Sequence, residues 1–262
     1  MRNRILKIVA VVGLIASYGC SEPRLEKKGF QVSEITEDQN GKKIVGLPKD
    51  SLNIETRPRN VLETKSLNHR ITPIYKVNYH PKTGKAFTGS NSFHSTWYRD
   101  KREGYNWNQN FMPGFSAIYG YNFLNVSVYN SETQNQTQFF KRPVLINTLY
   151  YPANSNDTVN FLPINRDFFI VSVYTDDSNN DGFINRTDLR RLVLFGQEGE
   201  NKGNLVPNNY SVMSSEYDEQ KDLMYVFARL DQNKNGQMDE KEPIHIFWVD
   251  LKNPSHTGFQ YK

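Results

Sequence analysis

Two twelve-residue stretches in the C-terminal half concentrate the residues best suited to chemistry. They are DSNNDGFINRTD, Asp177 to Asp188, and DQNKNGQMDEKE, Asp231 to Glu242. Each carries side-chain oxygen at positions 1, 3 and 5, glycine at 6, an apolar residue at 8 and a carboxylate at 12. Oxygen donors at this spacing can surround a hard divalent cation such as calcium, which takes six to eight of them. Gly182 and Gly236 permit a sharp turn, and Ile184 and Met238 would anchor each loop to a core. Asn, Asp and Gly also dominate ordinary turns, so a pair of polar hairpin loops is the competing reading. It weighs more on the first loop, whose closing Asp188 is one methylene shorter than the usual Glu.

The two stretches resemble the calcium loops of the EF-hand family. The resemblance covers those residues alone and implies two Ca2+ sites. In the first loop it implies Asp177, Asn179, Asp181, the Phe183 carbonyl and Asp188 as ligands, with Asn185 at a position that acts through water. In the second it implies Asp231, Asn233, Asn235, the Gln237 carbonyl and Glu242, with Asp239 at the water-mediated position. The flanks FFIVSVYT, LRRLVLF, LMYVFARL and IHIFWVDL are rich in β-branched and aromatic residues. They predict strands, not helices, on either side of the loops. A calcium staple between strands is therefore expected rather than a sensor that opens a helix pair.

The N-terminus predicts where the chain works. MRNRILK, IVAVVGLIA and SYGC read as a basic segment, a short apolar segment and a small residue before Cys20. This resembles a bacterial lipoprotein signal over residues 1–19, with Cys20 as the lipidation site and the membrane as partner. An ordinary secretory signal with an incidental cysteine is the alternative. Ser21 after the cysteine points to the outer membrane of the cell envelope. Cys20 is the sole cysteine, so no intramolecular disulfide can form. Lys and Arg number 32 and Asp and Glu 28. Without Arg2, Arg4 and Lys7 the balance is near neutral. No basic helix or aromatic–basic motif accompanies it, which argues against a nucleic-acid partner.

Residues 20–67 are polar, with Pro23, Pro48 and Pro58, and read as a tether. Residues 68–262 read as an all-β domain. Four paired apolar runs recur: IYKVNYH with KAFTG, FLNVSVY with TQFFKRP, FFIVSVYT with LRRLVLF, and LMYVFARL with IHIFWVDL. They predict repeated antiparallel hairpins. A spacing of roughly fifty residues is that of β-propeller blades, so a propeller-like fold is expected, with an irregular β-sandwich as the alternative.

Little else suggests catalysis. The five histidines include no HExxH pair, there is no G-x-S-x-G, and KTGKAF lacks the first glycine of a phosphate loop. The segment from 93 to 121 gathers Trp97, Tyr98, Tyr105, Trp107, Phe111 and Phe115 among amides and arginines. Such a mixture suits a sugar-binding surface, or else a packed loop. The expected role is a calcium-stabilised binding or scaffolding module of the envelope, with a glycan or protein partner. The competing class is an envelope enzyme acting on glycan or peptide.

Overall fold

The computed structural model describes residues 29–37, 43–48, 54–89, 91–94 and 112–262. Every regular element among them is a strand. The first third holds β1 (Phe30–Gln31), β2 (Ser33–Glu37), β3 (Lys43–Pro48), β4 (Thr56–Pro58), β5 (Leu62–Glu63), β6 (His69–Tyr79), β7 (Ala86–Thr88) and β8 (Asn91–His94). The middle holds β9 (Phe115–Gly120), β10 (Phe123–Asn130), β11 (Asn135–Gln138), β12 (Leu145–Pro152), β13 (Thr158–Val159), β14 (Leu162–Pro163), β15 (Phe168–Tyr174), β16 (Phe183–Ile184), β17 (Arg191–Gly196) and β18 (Asn201–Asn204). The last part holds β19 (Tyr210–Asp218), β20 (Leu223–Leu230), β21 (Ile244–Asp250) and β22 (Thr257–Tyr261).

Three antiparallel sheets carry the fold. The first runs β11-β10-β6-β4, with β5 and β7 also on β6. The second runs β18-β17-β15-β12-β9-β8, and the third β19-β20-β21-β22. The four hairpins expected from the apolar runs are all present, as β6–β7, β10–β11, β15–β17 and β20–β21. Their distribution is uneven. The first two hairpins share one sheet, because β10 pairs β6 from Phe123↔Tyr75 to Asn130↔His69. Strands β4 and β5, inside the stretch 20–67, also hydrogen-bond to β6.

Strand composition follows from layer position. A strand covered on both faces needs apolar residues at every position, whereas one covered on a single face alternates. FFIVSVY in β15 and RLVLFG in β17 are buried throughout. Their alternate residues serve two different cores. Phe168, Ile170, Leu192 and Leu194 pack toward Tyr210, Val212, Val226, Ala228 and Phe247 of the third sheet. Phe169, Val171, Val173, Val193 and Phe195 pack toward Ile71, Tyr75, Phe123 and Val126 of the first. The second sheet is therefore the middle layer of a three-layer stack. Strand β6, in an outer layer, alternates buried and half-buried residues over nearly its whole length.

A buried ion pair ties the third sheet to the segments flanking the second. Arg166 lies just before β15 and Asp222 in the β19–β20 turn. Arg166 Nη1 and Nη2 donate to the two Asp222 carboxylate oxygens at 3.0 and 2.6 Å. The guanidinium also donates to the Pro113 and Leu251 carbonyls and sits over the Phe115 ring. Tyr217 donates to Asp222 at 3.0 Å. Burial and the Asp222 charge push the Tyr217 phenol well above its ordinary range.

Candidate functional site

The two oxygen-rich loops span the β15–β17 and β20–β21 hairpins and share one backbone shape. Positive φ recurs at the fourth and sixth positions of each, at Asn180 and Gly182 and at Lys234 and Gly236. Asp177 Oδ1 and Oδ2 accept from the Asp181 and Gly182 amides. Asp188, 1% exposed, accepts from the amides of Ser178, Asn179 and Asn185. Asn179 and Asp181 cap the next amides along, those of Asp181 and Phe183. In the second loop Glu242 accepts from the Gln232, Asn233 and Asp239 amides. Asp231, Asn233 and Asn235 accept from Gly236, Asn235 and Gln237. The Phe183 and Gln237 backbones lie in strand β16 and in a bridge to Asp188.

These contacts correct the calcium reading. An EF-hand needs a helix on each side of its loop, and here strands stand on both sides. Among the described residues no group of three or more His, Cys, Asp or Glu side chains is placed to hold a metal ion. The carboxylates instead close Asx-type turns on their own backbone amides, the competing role that Asp, Asn and Gly fill. The EF-hand resemblance, the two Ca2+ sites and the role of a calcium-binding lipoprotein are therefore not supported. Cys20 lies outside the described residues and lends that role no structural support.

The loops act on each other and on the N-terminal strand. Ser178 Oγ donates to the Gly236 carbonyl at 2.6 Å, and Asp188 forms an isolated antiparallel bridge with Gln237. Strand β1 pairs with β16 inside the first loop, and the Gly182 carbonyl accepts from Val32. Burial in this junction pushes the Asp188 carboxyl up to about 6, against the lowering pull of its amide donors.

A different surface presents the groups suited to a ligand. Among the described residues the third sheet ends the stack, and one face of it packs on the second sheet through Met224, Val226, Ala228, Phe247 and Val249. The alternate residues therefore point the other way. Register places Glu216, Tyr225, Trp248 and Gly258 in one row, and Ser214, Phe227, Ile246 and Tyr261 in the next. Ile244 and Tyr261 are exposed, and Tyr225, Phe227, Ile246 and Trp248 are half-buried. The Trp248 indole leans onto its cross-strand neighbour. A Cβ added at Gly258 would lie 2.8 Å from Trp248 Cζ2 and 3.0 Å from Cε2 and Nε1. The bare glycine backbone thus lets the ring lie along the sheet. His256 meets the ring edge-to-face at 4.7 Å. Polar groups rim the aromatic rows. Tyr225 donates to Asp218 at 3.4 Å, and burial with the Asp218 charge raises its phenol pKa.

The outer face of the first sheet is of another kind, carrying Arg70, Thr72, Lys76 and Asn78 along β6. Between the second and third sheets, Tyr150, Ser172, Arg190 and Ser215 line a cavity of about 30 Å³, room for little more than a water. Most of the aromatic-rich segment singled out in the sequence, residues 95–111, lies outside the described residues. The Trp248 rows were missed because IHIFWV reads equally well as a strand buried on both faces. No family model matches the chain, and no curated protein matches it significantly.

Proposed function

We propose that this chain is a binding module whose ligand is a glycan held on the outer face of the third sheet. One observation carries the reading: Trp248 spread over Gly258 beside Tyr225, in two adjoining rows of half-buried aromatic and aliphatic side chains. A buried strand pair needs no such residues on its solvent face, and contiguous apolar area there marks a contact surface. The surface is a sheet face rather than a concavity. Small ligands favour concave sites, whereas an extended polysaccharide lays successive sugar rings against a broad aromatic surface. Asp218, Glu216 and Arg229 at the rim supply acceptors and donors for hydroxyls.

Trp248→Ala is expected to weaken retention on insoluble polysaccharide about tenfold, the loss of roughly one stacking contact. Co-sedimentation of the purified protein with cellulose, chitin and peptidoglycan sacculi reads this out, with the melting temperature as a fold control. Wild-type protein that pellets with none of them would end the glycan reading. Self-association that disappears in Trp248→Ala would give the face to a second copy instead.

The same face bears on architecture. Face-to-face packing of sheets through shared apolar layers supports the propeller-like reading of the hairpins, while the open end face and the sharing of one sheet by two hairpins count against a closed ring. The envelope location and the membrane contact at Cys20 belong to the proposal on sequence grounds alone. Fractionation of cells expressing the full chain or Cys20→Ala checks them: the variant should leave the membrane fraction, and its unchanged retention would count against the contact.

A further inference from the structure

We propose that Ser66, His69 and Glu198 form a nucleophile, base and orienting acid that hydrolyse short-chain carboxylic esters. The site is independent of the aromatic face. It lies where the first and second sheets meet. Ser66 sits in the bend before β6, His69 is the first residue of β6, and Glu198 is in the β17–β18 turn. The Ser66 hydroxyl is 2.7 Å from His69 Nδ1, and His69 Nε2 is 2.7 Å from Glu198 Oε1. The imidazole is nearly buried, with 7% of its side chain exposed, while Glu198 faces solvent.

The carboxylate sets the direction of these bonds. Glu198 Oε1 can only accept, so Nε2 carries the hydrogen and Nδ1 of the neutral ring is the acceptor, which Gln197 Nε2 faces at 3.2 Å; Asn130 Nδ2, 3.3 Å from Nε2, donates to Glu198 instead. Nδ1 then also accepts from the Ser66 hydroxyl, and Nε2–H donates to Glu198. This is the proton order of a nucleophile activated by an imidazole whose tautomer a carboxylate holds. The serine meets Nδ1 rather than the more usual Nε2, and either nitrogen can exchange the proton. Glu198 is itself oriented: Asn130, 7% exposed, donates to its two oxygens at 3.2 and 3.3 Å. Asn130 in turn is held by the Glu132 and Thr133 amides, which donate to its Oδ1.

The chemistry balances with water as co-reactant. Ser66 Oγ attacks the ester carbonyl carbon, its proton passes to Nδ1, and the carbonyl π pair moves onto oxygen. Protonated Nδ1 no longer accepts from Gln197, so that amide becomes free to donate to the oxyanion. The Asn68 amide, 3.3 Å from Ser66 Oγ, supports the attacking oxygen. The intermediate collapses, the alkoxide leaves with the proton from Nδ1, and an acyl-Ser66 remains. Water repeats the sequence, giving the carboxylic acid and restoring Ser66. Asn68, Arg70, Asn130 and Gln197 make the surroundings polar, which suits a short acyl group over a fatty one.

A purely structural histidine would join the two sheets equally well, so the test must read a covalent event. The full chain is incubated with a fluorophosphonate probe and mapped by mass spectrometry, and p-nitrophenyl acetate hydrolysis is followed in parallel. An adduct on Ser66 is expected. Ser66→Ala should abolish the adduct and lower kcat/KM about 10³-fold. Glu198→Gln should lower kcat about 10²-fold with KM little changed and the melting temperature close to that of the wild type. Wild-type protein with no adduct on Ser66 overturns the proposal whatever the variants do. So does Ser66→Ala hydrolysing the ester at the wild-type rate.

Discussion

Asp222→Ala should cost about 3–5 kcal/mol of stability, enough to leave a domain of ordinary stability close to unfolding. Arg166 and Asp222 are 3% and 2% exposed. Removing the carboxylate leaves the guanidinium in a poorly solvated site with only the Pro113 and Leu251 carbonyls to accept from it. It also removes the acceptor of the Tyr217 hydroxyl. Most of the expected loss is this stranded charge and not the value of the pair itself. The double variant Arg166→Met with Asp222→Leu should therefore recover much of it. Urea denaturation at neutral pH measures both. A single variant within about 1 kcal/mol of the parent would show that water reaches the guanidinium and that the tie is dispensable.

Gly236→Ala should be nearly as damaging, by another route. Gly236 has φ +71°, and a Cβ there would lie 1.8 Å from the Ser178 carbonyl oxygen of the neighbouring loop. The obstacle is backbone, which cannot rotate aside as a side chain could. A left-handed non-glycine residue costs about 1–3 kcal/mol, and overpacking adds a similar amount. Gly84, also at positive φ, has nothing near its missing Cβ, so Gly84→Ala should show only the conformational part. Differential scanning calorimetry of the two variants separates the terms. Equal shifts would mean that the loops dock loosely, and a much larger shift at Gly236 would mean that they lock.

What could be read from the sequence depended on how local each decision was. The hairpin runs were legible because strand signals span only a handful of residues. In β6 the apolar and polar residues alternate much as burial does, whereas LMYVFARL in β20 is apolar almost throughout and hid which of its faces is covered. How the hairpins are shared among sheets was not legible. The pairing of β10 with β6 joins two hairpins into one sheet, and no short-range pattern announces it. The oxygen-rich loops failed for a different reason. Asp177, Asp188, Asp231 and Glu242 suit a cation and a backbone amide equally, and only coordinates show which they meet. His69 and Glu198 are far apart in sequence, and the run IHIFWV does not reveal that no sheet among the described residues covers its Trp248 side.

The pairing of Phe30 with Ile184 also has consequences in time. Strand β1 is made early on the ribosome but has no partner until the first loop, far downstream, has emerged and turned. Closing so long a stretch of chain is entropically slow, and such contacts generally form after local hairpins. The three sheets can stack first, and the N-terminal strand seats last, against a loop junction that is already assembled. A partly made chain therefore leaves the Gly182 carbonyl and the β16 edge open to solvent, or to a strand from another chain, until β1 closes upon them.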